Sequence, residues 1–247
     1  MVLPCGIMST APAITPDSRI GDLVAAQPSF ARIFEKLGID YCCGGRRSLA
    51  EAAADRGLAP DTLAVLLEAT ADFGGPTPEV DAAAMSLSGL IDHIEGTHHV
   101  YVRRELPRLV EMADRLSTKH GLRDPRLPEV ADTVQALAAE MADHMRKEEQ
   151  ILFPLVRLIE QNVRDGFHCG SIANPIRVME AEHESAGRAL ARLRELTDGF
   201  TPGADACNTH RAFLAGLAEF EQDLHRHVHK ENNILFPRAL AKANANN

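Results

Sequence analysis

The sequence has little of what builds β-sheets or membrane-spanning helices. It contains no Trp and two Tyr, and aromatic residues make up 4% of its 247 residues. Leu and Ala dominate and β-branched residues are sparse, which favours helices over strands. No stretch approaches the ~18 apolar residues of a membrane-spanning helix, so we expect no membrane partner. These shortages predict an all-α protein.

Positive charge and regular cysteine spacing are also missing. The 26 Lys and Arg stand against 35 Asp and Glu, for a net charge of −9. Because no basic patch or nucleic-acid-reading motif is evident, we expect no nucleic-acid partner. The five Cys lack the spacing of a disulfide framework, and the first residues lack the basic region of a secretory signal. A reducing, cytoplasmic location is the simplest expectation.

Runs of Gly and Pro divide the chain into a lead and two domains. Residues 1–19 are predicted to be a disordered lead, and residues 20–76 a small helical domain that contains two adjacent cysteines. The run FGGPTP at residues 73–78 is the predicted linker, because it breaks both helices and strands. Residues 77–247 are predicted to form the larger domain.

Three short helices are predicted within the small domain. The first of them ends at Gly38. The second is expected to begin after Ser48, with Glu51 at the capping-box position three residues later. Asp61 is expected to cap the third helix.

Apolar residues in the larger domain recur at helical spacing and predict four long helices. Pro107 lies within the first of them and is expected to kink it. Helices of this length with short connections, and no repeat of solenoid period, indicate an up-down four-helix bundle. The predicted helices span roughly residues 87–119, 128–161, 174–199 and 206–241.

One phrase occurs twice in this domain. Residues 144–154 (HMRKEEQILFP) and 227–237 (HVHKENNILFP) are identical at seven of eleven positions. Each copy begins with a His, and a Glu follows four residues later, just before an apolar run. Positions i and i+4 lie on one face of a helix. Each copy therefore aims an imidazole and a carboxylate at one point.

The repeat extends upstream of the phrase. His99 precedes His144 by 45 residues and His183 precedes His227 by 44, so the two halves repeat at spacings of 84 and 83 residues. Each half offers one single His and one His-x-x-x-Glu. Four-helix bundles build metal sites from inward-facing side chains. The predicted metal ligands are His99, His144, Glu148, His183, His227 and Glu231.

These ligands have the chemistry of a site for two metal ions. A carboxylate has two oxygens and can bridge two cations, so two glutamates with two histidines for each ion describe a dinuclear centre. Imidazole and carboxylate suit iron, whereas manganese or zinc, and with zinc a hydrolase, stay open. A single His-x-x-x-Glu is usually a surface pair, but its duplication in register with two further histidines favours the metal site.

Two carboxylates beside these ligands are weaker candidates. Glu140 and Glu182 could orient a ligand or carry protons, although a charged helix face explains them equally well. His98 lies about 100° from His99 around a helix, so only His99 is expected at the centre. Solvent exposure is expected for His225 and His229.

Adjacent Cys42 and Cys43 lie in a predicted turn, followed by Gly44 and Gly45. Glycine permits positive φ and lets another group approach closely. Two thiols there could bind a soft metal, exchange disulfides or meet a partner's cluster, and the plain structural alternative is two small buried side chains. A disulfide between adjacent cysteines would be strained. A redox or transfer role for Cys42 and Cys43 is therefore a hypothesis.

The cysteine turn and the doubled phrase together resemble a known family. The run DYCCGG at residues 40–45, followed by two His-x-x-x-Glu-x-x-Ile-Leu-Phe-Pro phrases, is similar to the iron–sulfur cluster repair di-iron proteins (the RIC or ScdA-type family). The second domain of that family is hemerythrin-like. The resemblance covers about residues 20–241. It places the family's iron ligands on the six residues above, its bridging glutamates on Glu148 and Glu231, and its cysteine pair on Cys42 and Cys43.

The resemblance implies a stress-response protein with two non-haem iron ions per chain, bridged by carboxylates and an oxo group. Such proteins help to restore iron–sulfur clusters damaged by nitric oxide or peroxide. Iron donation, nitric oxide reduction or both are implied, so whether the chain is an enzyme stays open. The expected partners are damaged iron–sulfur proteins or a cluster-assembly scaffold, with nitric oxide or oxygen as small ligands. A homodimer through the small domain is a further expectation.

The alternative is a hemerythrin-type protein that binds or senses oxygen or nitric oxide. A dedicated carrier is expected to have a fifth His and no cysteine module, whereas this chain has four His in register and has the module. A ferroxidase or iron store is expected to be rich in Glu, with Glu-x-x-His on two helices, which the doubled phrase does not match.

Overall fold

The computed structural model describes residues 14–72, 80–163 and 171–245. It divides into two compact units, Met1–Ala83 and Ala84–Asn247. The described residues form helices and no named strand, so the predicted all-α class is confirmed.

Two predictions about the chain's organisation fall partly or wholly outside the described residues. The predicted linker at 73–78 lies outside them, as do residues 1–13 of the predicted lead. The end of the lead is described, and Arg19 there pairs with Ser48 in an isolated antiparallel bridge.

In the described part of the first unit, four short α-helices pack around one core. Phe34, Tyr41 and Leu49 are at most 1% exposed and pack with apolar side chains from all four helices. Gly38 ends the helix Ala31–Leu37, as predicted. Its φ is 64°, a left-handed conformation that glycine adopts without steric cost. The helices are α1 Ile20–Ala26, α2 Ala31–Leu37, α3 Leu49–Ala54 and α4 Pro60–Asp72.

The capping box predicted at α3 is present. The Ser48 side chain accepts a hydrogen bond from the backbone N–H of Glu51, and the Glu51 carboxylate accepts one from the backbone N–H of Ser48 at 2.8 Å. The capping role predicted for Asp61 is wrong. Helix α4 begins at Pro60, so Asp61 lies inside the first turn, where its charge still suits the positive end of the helix dipole.

The second unit is the predicted bundle of four long helices, and three of these contain one wider π turn. The regular segments are α5 Leu87–Ile94, α6 Val100–His120, α7 Arg126–Lys147, α8 Phe153–Glu160, α9 Ala173–Leu196, α10 Asn208–Lys230 and α11 Phe236–Ala245. The π turns join α5 to α6, α7 to α8 and α10 to α11. They span Glu95–His99, Glu148–Leu152 and Glu231–Leu235.

Proline accounts for two of the π turns. Pro154 and Pro237 are the second residues of α8 and α11. A proline cannot donate to the carbonyl four residues earlier, and its ring clashes with that carbonyl, so a wider turn before it relieves both problems. Helix α6 continues through Pro107, and the π turn of this long helix lies upstream of it, at Glu95–His99.

Apolar faces hold the bundle together. Helix α6 packs against α7 and α10, α7 packs against α9, and α8 packs against α5 and α11. Leu90, Val134 and Leu193, from three of the long helices, are fully buried. Among the described helices, none combines the length and the apolar character needed to cross a membrane.

Candidate metal centre

Four helices bring six polar side chains together in the interior of the bundle. Each half supplies one single His and one His–Glu pair. The His of each pair lies in the last turn of α7 or α10, and the Glu opens the following π turn. All six residues are at most 2% exposed. They are the six predicted ligands: His99, His144, Glu148, His183, His227 and Glu231.

The six residues fall into two groups of four that share both glutamates. Within each group, one ligand atom from every residue lies within 4.8 Å of the others. His99 and His227 complete the group that we call the first position, and His144 and His183 complete the second position. Since Glu148 and Glu231 belong to both groups, the geometry is that of two adjacent cation positions with shared carboxylates.

The Glu231 carboxylate lies between the two positions. Its Oε1 is 3.0 Å from Nε2 of His227, and its Oε2 is 3.1 Å from Nε2 of His183. One oxygen thus faces each position, which is the arrangement that a bridging carboxylate requires.

Glu148 also lies between the two positions, but a single oxygen is near both. Its Oε2 is 3.4 Å from Nε2 of His99 and 3.4 Å from Nε2 of His144. All four imidazoles therefore turn Nε2 toward a glutamate.

The residues fit metal ions. Both oxygens of Glu148 and Nε2 of His99 are buried without a hydrogen-bond partner in the described part of the chain. A buried charged group without partners is strongly unfavourable, and a pair of cations would satisfy these atoms. The donor set of imidazole and carboxylate is one that iron, manganese and zinc accept.

Burial shifts the protonation of the histidines and of the glutamates in different ways. It lowers the pKa of His144 and His227 to about 4, so both imidazoles are neutral near pH 7, as a metal ligand must be. Burial and the charge of Glu231 raise the pKa of Glu148 well above its usual range. Burial also acts to raise the pKa of Glu231, but His227 and His183 lower it overall.

The outward Nδ1 atoms of two ligands are held by carboxylates. Nδ1 of His144 lies 3.0 Å from Glu182, whose other oxygen accepts a hydrogen bond from Lys147 at 2.6 Å. Nδ1 of His99 lies 2.7 Å from Glu149. Such partners fix the tautomer and orientation of a metal-binding imidazole. Glu182 therefore makes the contact that an orienting role would require.

Glu149 and Asn232 are contacts that sequence reasoning missed. Oδ1 of Asn232 lies 2.9 Å from Nδ1 of His183, and Arg103 donates to Glu149 at 2.6 Å. Each missed residue directly follows one glutamate of the doubled phrase. That repeated position, with a polar acceptor in both copies, is the signal that could have identified them.

Several weaker predictions turn out differently. Glu140 is exposed, and its carboxylate accepts a hydrogen bond from Ser185 at 3.3 Å rather than from a ligand imidazole. The solvent exposure predicted for His229 is wrong, because it is 5% exposed, and His225 is half-buried. The prediction for His98 is confirmed, because His98 belongs to neither group of four, although it is buried beside the centre.

A cavity of about 730 Å³ lies beside the second position. It is bordered by His144 and Glu182, together with the exposed side chains of Glu140 and Arg177. The cavity thus reaches from the surface of the bundle to one ligand imidazole.

The two predicted cysteines lie in a turn built around Asp40. The Asp40 carboxylate accepts backbone hydrogen bonds from Cys42, Cys43 and Gly44 at 3.0 to 3.1 Å. A Cβ at Gly44 would lie 2.6 Å from the Asp40 carbonyl oxygen, so the turn requires glycine there. The Asp40 carboxylate is occupied in shaping this turn.

The two thiols differ in environment. Cys42 is buried and donates from Sγ to Asp40 at 3.1 Å, whereas Cys43 is half-buried. The hydrogen bond with Cys43, burial and the Asp40 charge raise the pKa of Cys42 well above its usual value. Cys42 therefore stays protonated, and Cys43 is the more accessible thiol.

The bundle and its paired His–Glu groups define a hemerythrin-type cation-binding protein. Residues 90–239 match the model of the hemerythrin HHE cation binding domain. Residues 16–71 match a domain of unknown function, DUF542.

Relatives match the chain over almost its whole length. The iron–sulfur cluster repair protein YtfE of Pectobacterium carotovorum is 38% identical over 224 residues, which cover 91% of this chain and 97% of that protein. YtfE of Yersinia pseudotuberculosis is 39% identical over 222 residues, covering 90% and 96%. The chain belongs to the YtfE family of iron–sulfur cluster repair proteins.

Proposed function

We propose that this protein repairs damaged iron–sulfur clusters and that its bundle holds two iron ions for that purpose. The observation that carries the proposal is the sharing of Glu148 and Glu231 by two groups of buried histidines. The relatives that cover the chain are iron–sulfur cluster repair proteins, which supplies the process that a buried two-ion site would serve.

Each residue of the centre has a defined task in this proposal. Glu148 and Glu231 would be shared by the two ions, and the four histidines would bind them through Nε2. Bound iron would supply a redox-active Lewis acid. Glu149, Glu182 and Asn232 keep the imidazoles oriented through Nδ1.

The charge of the site favours release of iron to a recipient. Four neutral imidazoles and two carboxylates carry less negative charge than a carboxylate-rich store. The site should therefore hold iron less tightly and supply it to a damaged cluster. The recipient is a damaged iron–sulfur protein or a cluster-assembly scaffold, and Cys43 is the accessible thiol for contact with it.

The hemerythrin-type carrier or sensor of oxygen or nitric oxide is not favoured. The match to repair proteins includes the cysteine domain as well as the bundle, because it covers 91% of the chain. A carrier has no evident use for the turn that Asp40, Cys42 and Gly44 build.

The test is repair of a nitric-oxide-damaged [4Fe–4S] enzyme by the iron-loaded protein, with no other iron source. We expect recovery of that enzyme's activity. The variant carrying Glu148→Leu and Glu231→Leu should hold no iron and restore nothing, and Glu140→Gln, at an exposed position, should repair like the unchanged protein. Equal repair by the double variant would contradict the proposal.

A further inference from the structure

We infer that the two metal positions bind their ions unequally, and that His98 makes the first position, with His99 and His227, the weaker one. The inference rests on the proposed two-ion site and concerns which ion is held less firmly. It follows from applying the internal repeat to the residues around the ligands.

The repeat pairs Glu182 with His98. Glu182 directly precedes His183, and it contacts Nδ1 of His144 from the other copy of the phrase. His98 directly precedes His99 and lies against His227 in the corresponding way, with ring centroids 5.3 Å apart. The ligand His144 thus has the carboxylate of Glu182 next to it, whereas the ligand His227 has the imidazole of His98.

The lysine of the doubled phrase contacts Glu182 in one half and His98 in the other. Lys147 and Lys230 each follow the phrase histidine by three residues. Nζ of Lys147 donates to Glu182 at 2.6 Å, and Nζ of Lys230 lies 3.0 Å from Nε2 of His98. The two lysines therefore reach equivalent places and meet different partners.

His98 cannot accept a hydrogen bond from His227. A lysine ammonium only donates, so Nε2 of His98 accepts from Lys230. Nδ1 of His98 then carries the proton and donates to Asp223 at 2.9 Å. The rings of His98 and His227 are parallel within 1°, so His98 covers the face of His227, whereas the Nδ1–H of His227 points along the ring plane.

His227 is consequently the exception among the four ligands. Its Nδ1 is buried and has no hydrogen-bond partner in the described part of the chain. The other three Nδ1 atoms meet Glu149, Glu182 and Asn232. Each position has one histidine backed by a carboxylate, so the difference lies in the second histidine of each pair.

Hydrogen bonds to outer acceptors raise the basicity of a ligand imidazole, and loss of one typically lowers metal affinity by about 10-fold to 100-fold. In the second position, His183 has the amide oxygen of Asn232 as this acceptor. In the first position, His227 has none among the described residues. The ion at the first position should therefore be bound about 10-fold more weakly.

The experiment is anaerobic removal of Fe(II) from the loaded full chain by a chromogenic chelator at increasing concentration. The unchanged protein should release one iron at about 10-fold lower chelator concentration than the other. His98→Glu places a carboxylate where Glu182 stands in the other half, with Lys230 available to pair with it. This variant should strengthen the binding of only the less tightly held iron, by about 10-fold, so that both irons are released at similar chelator concentrations.

Asn232→Ala is the matched variant, because it removes the acceptor from His183. It should weaken the binding of only the more tightly held iron, by about 10-fold, so that both irons are released at similar chelator concentrations. This result tests the inference even if His98→Glu does not fold. Release of both irons of the unchanged protein at one chelator concentration would overturn the inference but leave the two-ion site standing. A folded protein that takes up no Fe(II) would instead overturn the proposed function.

Discussion

Glu148 has no stabilising role that its contacts explain. It is fully buried, and neither of its oxygens has a hydrogen-bond partner among the described residues. Burial and the neighbouring Glu231 raise its pKa, so without cations the bundle holds a carboxyl group in an unfavourable place. Replacement of such a group by an apolar side chain of similar size removes the cost of burying it.

Glu148→Leu should therefore separate metal binding from stability. We expect iron content to fall from about two ions per chain to one or none, because a bridge is lost. The metal-free protein should be as stable as before or more stable by roughly 1–4 kcal/mol, measured by urea unfolding. Glu140→Leu, at an exposed position, serves as the control and should change neither quantity. Two irons retained in the Glu148 variant would contradict the bridging role.

The buried histidines predict how the metal-free protein responds to acid. Burial lowers the folded-state pKa of His144 and His227 to about 4, from about 6.5 when unfolded. The unfolded chain thus binds more protons, and stability falls as the pH drops from about 6.5 to 4, by about 3 kcal/mol for each histidine. The raised pKa values of Glu148 and His99 act in the opposite direction and reduce this loss.

Urea unfolding of the metal-free protein across that pH range measures the net loss of stability. A His227→Gln variant should show a smaller loss over the same range, because one of the two titrating groups is gone. Stability that rises as the pH is lowered from 6.5 to 4 would contradict the neutral, buried state of these imidazoles.

At the scale of elements, each copy of the doubled phrase positions ligands and also packs against them. The ring of Phe153 stacks on His99 with centroids 5.8 Å apart, and the ring of Phe236 stacks on His183 at 6.1 Å. The apolar end of each phrase thus supports the single His of a different helix. Both Phe residues directly follow a π turn.

Phe236→Ala should destabilise the bundle by about 3–5 kcal/mol, because it leaves a cavity at a fully buried site. It should also loosen His183 and weaken iron retention against a chelator. Ile151→Ala is the control, since Ile151 is 51% exposed and such surface changes stay within about 0.5 kcal/mol. Thermal unfolding of both variants makes the comparison. Equal effects of the two substitutions would contradict the packing described.

Features that depend on neighbouring residues in the sequence were predicted, whereas contacts between residues far apart in the sequence were not. The capping box of Ser48 and Glu51 and the helix end at Gly38 depend on neighbouring residues. The contacts of Asn232 with His183 and of His98 with Asp223 join residues 49 and 125 positions apart. The π turns also escaped, because apolar periodicity over a long helix does not reveal one inserted wider turn.

At the scale of the whole molecule, the six candidate ligands and the cysteine pair belong to different compact units. The six candidate ligands lie within Ala84–Asn247, and Cys42 and Cys43 lie within Met1–Ala83. The geometry of the bundle accounts for a metal site, whereas the process of cluster repair comes from the family. The residue pattern alone therefore predicts the metal site but not the process of cluster repair.

Replacement of Cys42 and Cys43 together by Ala should leave the iron of the bundle unchanged, because neither thiol belongs to the two His–Glu groups of the bundle. Repair of a damaged [4Fe–4S] enzyme should fall several-fold, since the accessible thiol is lost. Cys207→Ala, at an exposed free thiol, is the matched control and should repair normally. Undiminished repair by the double variant would remove the pair from the mechanism.

The two-ion site is tested most directly by metal analysis and a Mössbauer spectrum of the full chain loaded with ⁵⁷Fe. We expect about two irons per chain. In the oxidised protein, the spectrum should show a pair of ferric ions that are coupled through their bridges to a diamagnetic ground state. A folded protein that binds one magnetically isolated iron, or none, would contradict it.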